Sequence, residues 1–232
     1  MQQVTLISVN VGQPGVIGSY RGRPVISAIG KQPVTVASLH LDSLNLEGDR
    51  QADLHVHGGA DKAVYAYPSE HIREWALELG QDLGPASFGE NLTTAGVLEG
   101  NVCIGDVWAW GEALLQVSQP RQPCYKLATY RARNDLPKKL VAAGRTGWYF
   151  RVLRPGQVPV RGPIEIVERD PAGISVLAVH QARILGLGAP EDWRIMAALP
   201  ALTASWREDM ARRLASVSSS AAFAVRVGPG EG

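Results

Sequence analysis

Cysteine is scarce in this chain: only Cys103 and Cys124 occur in 232 residues. Two thiols cannot build a disulfide framework, so reduced thiols are the expectation, with a Cys103–Cys124 bridge left open. No apolar run approaches the ~20 residues of a membrane-spanning helix. The N-terminus, Met1-Gln2-Gln3-Val4-Thr5, lacks a basic stretch followed by an apolar one. No signal peptide is therefore expected, and with so little cysteine a cytoplasmic location is the default expectation. Charge of one sign is also missing. A net charge of +1 gives no overall bias toward a nucleic-acid polymer or a membrane. There is no internal repeat and no low-complexity block.

What is present suits a globular protein. The 45% hydrophobic content is ordinary for that class, and the length suffices for a proper core. The 25 glycines and 15 prolines are spread along the chain, which predicts many turns and short strands. Strands are expected at Val4–Val9, Val25–Ile29, Val34–Leu41, Ala63–Tyr67, Val107–Trp110, Leu114–Val117, Trp148–Leu153 and Ile164–Val167. Gly12 to Pro24 reads as a long loop. Ser69 is the expected N-cap of a helix with Ile72, Trp75, Ala76 and Leu79 on its apolar stripe, ended by Gly80. Short helices are expected after Cys124 and after Asp135. Beyond Pro171-Ala172-Gly173 the strand signal fades. Ser175 caps one expected helix, Pro190 opens a second, and Leu202, Trp206, Met210 and Leu214 mark a third. The chain thus divides into a mainly β, barrel-like domain over 1–170, a three-helix domain over 171–216, and a poorly ordered tail over 217–232.

One stretch stands out chemically: Ser118-Gln119-Pro120-Arg121-Gln122-Pro123-Cys124-Tyr125-Lys126. The prolines remove two backbone donors, so a rigid loop leaving a strand end is expected there. It presents Cys124 between two cations. Nearby positive charge favours the thiolate, which is the reactive and metal-binding form. Arg21, Arg23, His57, Lys62, Asn91, Arg121, Lys126 and Arg145 all fall in expected loops or at strand ends. If those loops converge, they make a cationic, donor-rich pocket around a thiolate, suited to a phosphate-bearing anion. If they do not, they are separate solvated charges. His55 and His57 alternate with Leu54 and Val56 and would share a strand face. They would make a zinc pair, but no third and fourth ligand have suitable spacing.

A further set of motifs runs through residues 1–170 in order. They include Glu47-Gly48-Asp49-x-Gln51-Ala52-Asp53, His57-Gly58-Gly59-x-Asp61-Lys62-Ala63-Val64 and Tyr67-Pro68-x-Glu70-His71. Phe88-Gly89-Glu90-Asn91-Leu92, Gly105-Asp106, the cysteine stretch from Gln116 to Leu127, and Gly147-Trp148-Tyr149 follow. By these the chain resembles the MOSC-domain family, and within it the YiiM-like group. The helical C-terminal part resembles that group's three-helix domain more loosely.

The resemblance implies a barrel-like fold that binds the molybdenum cofactor (molybdopterin). Cys124 matches the family cysteine, the protein's thiolate ligand to molybdenum; a soft ligand suits that metal. For the cofactor's phosphate, Arg21, Arg23, Lys62, Arg121, Lys126 and Arg145 are candidates by position. The implied activity is reduction of N-hydroxylated compounds, such as hydroxylaminopurine and amidoximes, to the amine or amidine. His57 is the candidate proton donor, and Asn91 the candidate for orienting the substrate. No flavin or nicotinamide fingerprint is present, so electrons are expected from a separate reductase, which the appended helices would help recruit. Two other readings use the same cysteine: a carrier of molybdenum cofactor or sulfur, and a cysteine nucleophile enzyme with His57 as base.

Overall fold

The structure, a computed structural model, describes residues 2–52 and 58–226, with side chains up to residue 217. The first strands are β1 (Gln2–Val11), β2 (Gly15–Tyr20), β3 (Arg23–Ser27), β4 (Gln32–Pro33), β5 (Ser38–Leu41), β6 (Val64–Pro68) and β7 (Leu92–Ala95). After them come β8 (Val107–Trp110), β9 (Ala113–Pro120), β10 (Trp148–Arg154), β11 (Gly156–Pro159) and β12 (Gly162–Glu168). The helices are α1 (Ser69–Leu79), α2 (Tyr125–Arg131), α3 (Leu136–Ala143), α4 (Val176–His180), α5 (Pro190–Ala198) and α6 (Ala204–Arg226). No helix among the described residues is long and apolar enough to cross a membrane.

Seven strands close into a barrel in the order β1, β12, β8, β9, β10, β6, β7 and back to β1. The β6–β7 pair is parallel and the other neighbours are antiparallel. Closure leaves these seven strands no open edge for a stray chain to join. Period-2 alternation fills the interior. On β9, Ala113, Leu115 and Val117 are fully buried while Leu114 and Gln116 face outward. Trp108, Trp148 and Phe150 meet inside, the Trp108 and Phe150 rings edge-on with centroids 5.1 Å apart. Such pairs add to the area that large aromatics bury.

The helical part packs onto this barrel rather than standing away from it. Ser175 Oγ accepts the Ala178 N–H at 3.1 Å, the expected cap. α4 runs on into a π turn at Gln181–Leu185, ended by Gly186 in the left-handed conformation. Trp193, Met196, Leu202, Trp206 and Met210 belong to the same continuous apolar cluster as the barrel interior. The Thr203 N–H donates to Ser118 O at 3.2 Å, tying the start of α6 to the end of β9. α6 continues to Arg226 through residues where a tail is expected, in keeping with its alanine content. Residues 227–232 lie outside the described residues.

Four local expectations are corrected. The loop expected from Gly12 to Pro24 is a hairpin, β2–β3, turned by Arg21 and Gly22 at φ 51° and 75°. Two successive positive φ values match the twist of paired strands; the turn is written Arg-Gly, not the commoner Asn-Gly. Of the strand expected at Val34–Leu41 only β5 forms, and Gln32–Pro33 pairs with the end of β1. β9 reaches Pro120, opposite Trp148, despite the expected break at the prolines. A terminal proline costs one ladder bond, and the Arg121 N–H resumes pairing by donating to Gly147 O at 3.1 Å. Ser69 is the first residue of α1, not its cap: Pro68 takes the cap position with no side-chain bond.

Candidate functional site

Beside the barrel opens a cleft with about 700 Å³ of empty space, part of it open to solvent. The base of the β2–β3 hairpin, Ser27 to Ile29, forms one side with Lys31. Asp49 to Ala52 and Lys62 form another. Tyr65 on β6, Tyr149 on β10 and the turn at Phe88 and Gly89 provide an aromatic wall. The cysteine stretch supplies Arg121, Gln122, Cys124 and Lys126. Its route is set by the end of β9 and the start of α2: Cys124 is extended (φ −126°, ψ 176°) immediately before the helix.

Arg121 is the most constrained of these residues. It is buried, and its guanidinium lies over the Tyr65 ring with Cζ 5.1 Å from the centroid. It also hydrogen-bonds Tyr149. Burial works against its charge, but Tyr65, Tyr149 and Cys124 more than offset that, holding its pKa above the usual arginine value. Burial raises the Tyr65 and Tyr149 phenols, against the opposing pull of Arg121, so both stay neutral. The Tyr65 hydroxyl donates to Thr146 O at 2.9 Å. One guanidinium nitrogen, Nη1, is buried with no hydrogen-bond partner among the described residues. A buried charged donor without an acceptor is costly, so Nη1 marks a place where an acceptor belongs.

Opposite lies a buried polar network. Lys31 Nζ pairs with Asp49 Oδ1, which also accepts the Gly12 N–H at 2.8 Å. Asp49 Oδ2 accepts Asn91 Nδ2 at 2.8 Å. Burial lowers the Lys31 pKa, with Asp49 acting against it. Next door, the Glu90 carboxyl accepts the Ala86 and Phe88 N–H groups at 2.7 and 3.0 Å and the Thr93 hydroxyl at 2.9 Å. Burial still pushes its pKa up to about 7. These bonds hold the turn that presents Phe88 and Gly89. Gly89 has φ 79°, and a Cβ there would meet Ile29 Cγ1 at 2.5 Å. Only glycine allows this close approach of two cleft segments.

The structure brings Cys124, Lys62, Asn91, Arg121 and Lys126 to the cleft. It does not bring Arg21, Arg23 or Arg145 there. Arg21 is in the turn of the β2–β3 hairpin, Arg23 opens β3, and both are exposed. Arg145 pairs with Glu74 at 2.9 Å and stacks over Trp75 at 5.5 Å. These three are corrected as cleft residues: Arg145 is drawn off by its ion pair, and Arg21 and Arg23 stay on the exposed hairpin. His57, and with it the His55–His57 pair, lies outside the described residues. Asn91 has its amide engaged: Nδ2 donates to Asp49 Oδ2 and Asn10 O, and Oδ1 accepts the Tyr65 N–H. Both cysteines carry thiols; Cys103 is not among the cleft residues, and burial raises its pKa. Lys31, Asp49, Arg50, Tyr65 and Tyr149 were not anticipated as site residues. Asp49 and Tyr149 sit in the quoted motifs; Lys31 had no signal beyond a turn.

The donor set fits a soft-metal cofactor that carries an anion. A thiol stands next to a desolvated guanidinium with an unfilled donor, flanked by Lys62 and Lys126. Among the described residues no group of three or more His, Cys, Asp or Glu could hold a metal ion. Among the described residues that line the cleft, the one soft donor atom is the sulfur of Cys124.

Residues 53–165 match the model of the MOSC domain. The chain is 43% identical to the uncharacterized protein YflK of Bacillus subtilis, covering 91% of this chain and 95% of that one. It is 41% identical to the protein YiiM of Escherichia coli, covering 86% and 89%. A protein named "Reductase" from Gibberella moniliformis is 35% identical over 69% of this chain, a match that spans 29% of that protein. The crystal structure of YiiM from Geobacillus stearothermophilus superposes with a TM-score of 0.76 at 36% identity, covering 91% of this chain and 99% of that one.

Proposed function

Because the chain belongs to the MOSC-domain family, in its YiiM-like group, we propose that it is a molybdenum-cofactor-dependent reductase of N-hydroxylated compounds. The observation that carries the reading is Cys124 beside the buried, unsatisfied Arg121 Nη1. The reductase name of the fungal relative is consistent with redox chemistry. The bound cofactor would supply the two-electron reduction.

The chain's own residues do the rest. Cys124 is the thiolate ligand. Arg121, Lys62 and Lys126 hold the cofactor's phosphate, the arginine through the nitrogen that otherwise lacks an acceptor. Tyr65 and Tyr149, kept neutral by burial, present ring faces and keep water from the guanidinium. Ile29 and Phe88 offer an apolar wall for a flat substrate base. Asn91, with its amide engaged, positions Asp49 and the Tyr65 backbone, and so acts on the substrate through the shape of that wall. The reaction takes up two electrons and two protons, breaks the N–O bond and yields the amine and water. His57 is assigned as proton donor, and the electrons come from a separate protein.

The test is to load the protein with molybdenum cofactor and supply an artificial reductant. Conversion of an N-hydroxylated base to its amine is expected for wild type. Cys124→Ala should lose both molybdenum retention and turnover. A fully loaded wild type that leaves the substrate unchanged refutes the reading, and a persulfide on Cys124 in cell-isolated protein would favour the carrier instead.

A further inference from the structure

His71 and Gly147 lie in two of the quoted motifs and have no part in the chemistry above, yet one buried carboxyl joins them. Glu99, in the loop between β7 and β8, is 3% exposed, and His71, on α1, is 5% exposed. His71 Nε2 meets Glu99 Oε2 at 2.7 Å. The other oxygen, Oε1, accepts the Gly147 N–H at 2.7 Å. The Glu99 backbone is fixed as well, since its carbonyl accepts the Leu177 N–H of α4 at 3.0 Å.

The peptide group between Thr146 and Gly147 is held at both ends. Its N–H donates to Glu99, and its carbonyl accepts the Tyr65 hydroxyl at 2.9 Å. The Tyr65 ring is the seat of the Arg121 guanidinium. The next carbonyl, Gly147 O, accepts the Arg121 N–H at 3.1 Å. Glu99 therefore reaches Arg121 by two routes, one through the ring beneath the guanidinium and one through the backbone. Bonds in series polarise one another, so an N–H given to a carboxyl makes the carbonyl of the same peptide a better acceptor. Gly147 has φ 67°, and a Cβ there would lie 2.3 Å from Ala66 O, so the turn fits against β6 only as glycine. Neither Glu99 nor His71 lines the cleft. Whatever they do for the site passes through these neighbours.

Resting on the reading of Arg121 as a holder of the cofactor's phosphate, we propose that Glu99, braced by His71, is the positioning residue that aims the Arg121 guanidinium into the cleft. The buried Gly147 N–H needs an acceptor, and Glu99 supplies it in the one orientation that also offers Thr146 O to Tyr65. Without that acceptor the peptide turns, the Tyr65 hydroxyl is released, and the ring under Arg121 shifts. A pair that served stability alone would leave the grip on an anion unchanged in any folded variant.

The probe is inorganic phosphate, titrated calorimetrically into the metal-free, full-length protein. Wild type should bind it, and Arg121→Gln should weaken binding about tenfold, the loss of one charge-assisted bond. Glu99→Leu fills the space but offers no acceptor, and should weaken binding by a similar factor. Glu99→Gln can still accept the Gly147 N–H and should bind as wild type does. Adding Glu99→Leu to Arg121→Gln should weaken binding no further, because Glu99 acts through Arg121. Ile164→Ala, a buried truncation on β12 outside the cleft lining, is the control for lost stability and should keep wild-type affinity. Circular dichroism confirms that each variant is folded. If Glu99→Leu does not fold, His71→Phe, which keeps a ring but removes the brace, is read in its place with the same expected loss. Wild-type affinity in the folded Glu99→Leu protein, an equal loss in Glu99→Gln, or losses that add in the double variant overturn the proposal. So does a loss in Ile164→Ala as large as that in Glu99→Leu. Absent binding by wild type, or binding unchanged in Arg121→Gln, removes the premise and the proposal with it. Turnover of the loaded wild type is read in parallel. If it fails while the phosphate results hold, the reductase reading falls and the role of Glu99 stands.

Discussion

Removing Asp49 should expose how the cleft is held together. Asp49 is the one hydrogen-bond and ion-pair partner described for the Lys31 side chain, and the two side chains are 1% and 8% exposed. In Asp49→Ala the lysine stays buried without its counter-charge, and Asn91 and Gly12 lose an acceptor. Breaking a buried pair from one side costs about 3–5 kcal/mol. Lys31→Met should cost less, because the carboxylate keeps the Gly12 and Asn91 donors. The double variant Lys31→Met, Asp49→Ala should recover much of the single Asp49→Ala loss, since no lone charge remains. Urea unfolding, with the midpoint compared across the four proteins, measures this cycle. The pH dependence adds a second check. The folded Lys31 pKa lies below its unfolded value and should fall further without Asp49. Above the folded pKa the unfolded chain binds more protons at this site, so stability rises with pH until the unfolded pKa is passed. Asp49→Ala should therefore regain stability from neutral toward alkaline pH more steeply than wild type. A single variant within about 1 kcal/mol of wild type, or a double variant no better than the single, would show that the pair does not carry this energy.

Other perturbations test neighbouring parts of the wall. Glu90 has its folded pKa raised from 4.5 to about 7. Between those values the folded state holds more protons than the unfolded one, so stability from this group is present at low pH and lost as pH rises through about 7. Glu90→Gln should flatten that part of a Tm-against-pH profile; an unchanged slope would remove Glu90 from the account. Gly89→Ala forces a side chain into a left-handed backbone against Ile29. A loss of about 1–3 kcal/mol and weaker cofactor retention are expected, and wild-type stability with wild-type retention would mean that the two cleft segments need not touch.

Much of the barrel was readable from alternation alone. Val107–Trp110 and the strand after it appear as expected, because each strand has one face in the core. The helices at Ser69, Tyr125, Leu136, Ser175 and Pro190 were marked by Gly, Pro and Ser punctuation. The Gly15–Ser27 hairpin was missed because its two strands are mostly exposed and show little burial pattern. The path of β9 through Pro120 was missed because local rules treat a proline by itself, without the strand end beside it.

For the site, the chain alone determined that a thiol stands among cations: Cys124 lies between Arg121 and Lys126 in any fold, since adjacency in sequence is adjacency in space. It also carried the ordered motifs by which the family is recognised. Only the tertiary structure decided which distant cations join that thiol. Lys62 and Lys31 arrive there, whereas Arg145 is drawn off to Glu74 and Trp75, and Arg21 and Arg23 to the hairpin. Arg21 and Arg23 stay exposed on the hairpin, whereas a buried or paired charge settles where its counter-charge and its burial are balanced. That balance is struck among residues tens of positions apart, as between Lys31, Asp49 and Asn91, and no local pattern records it.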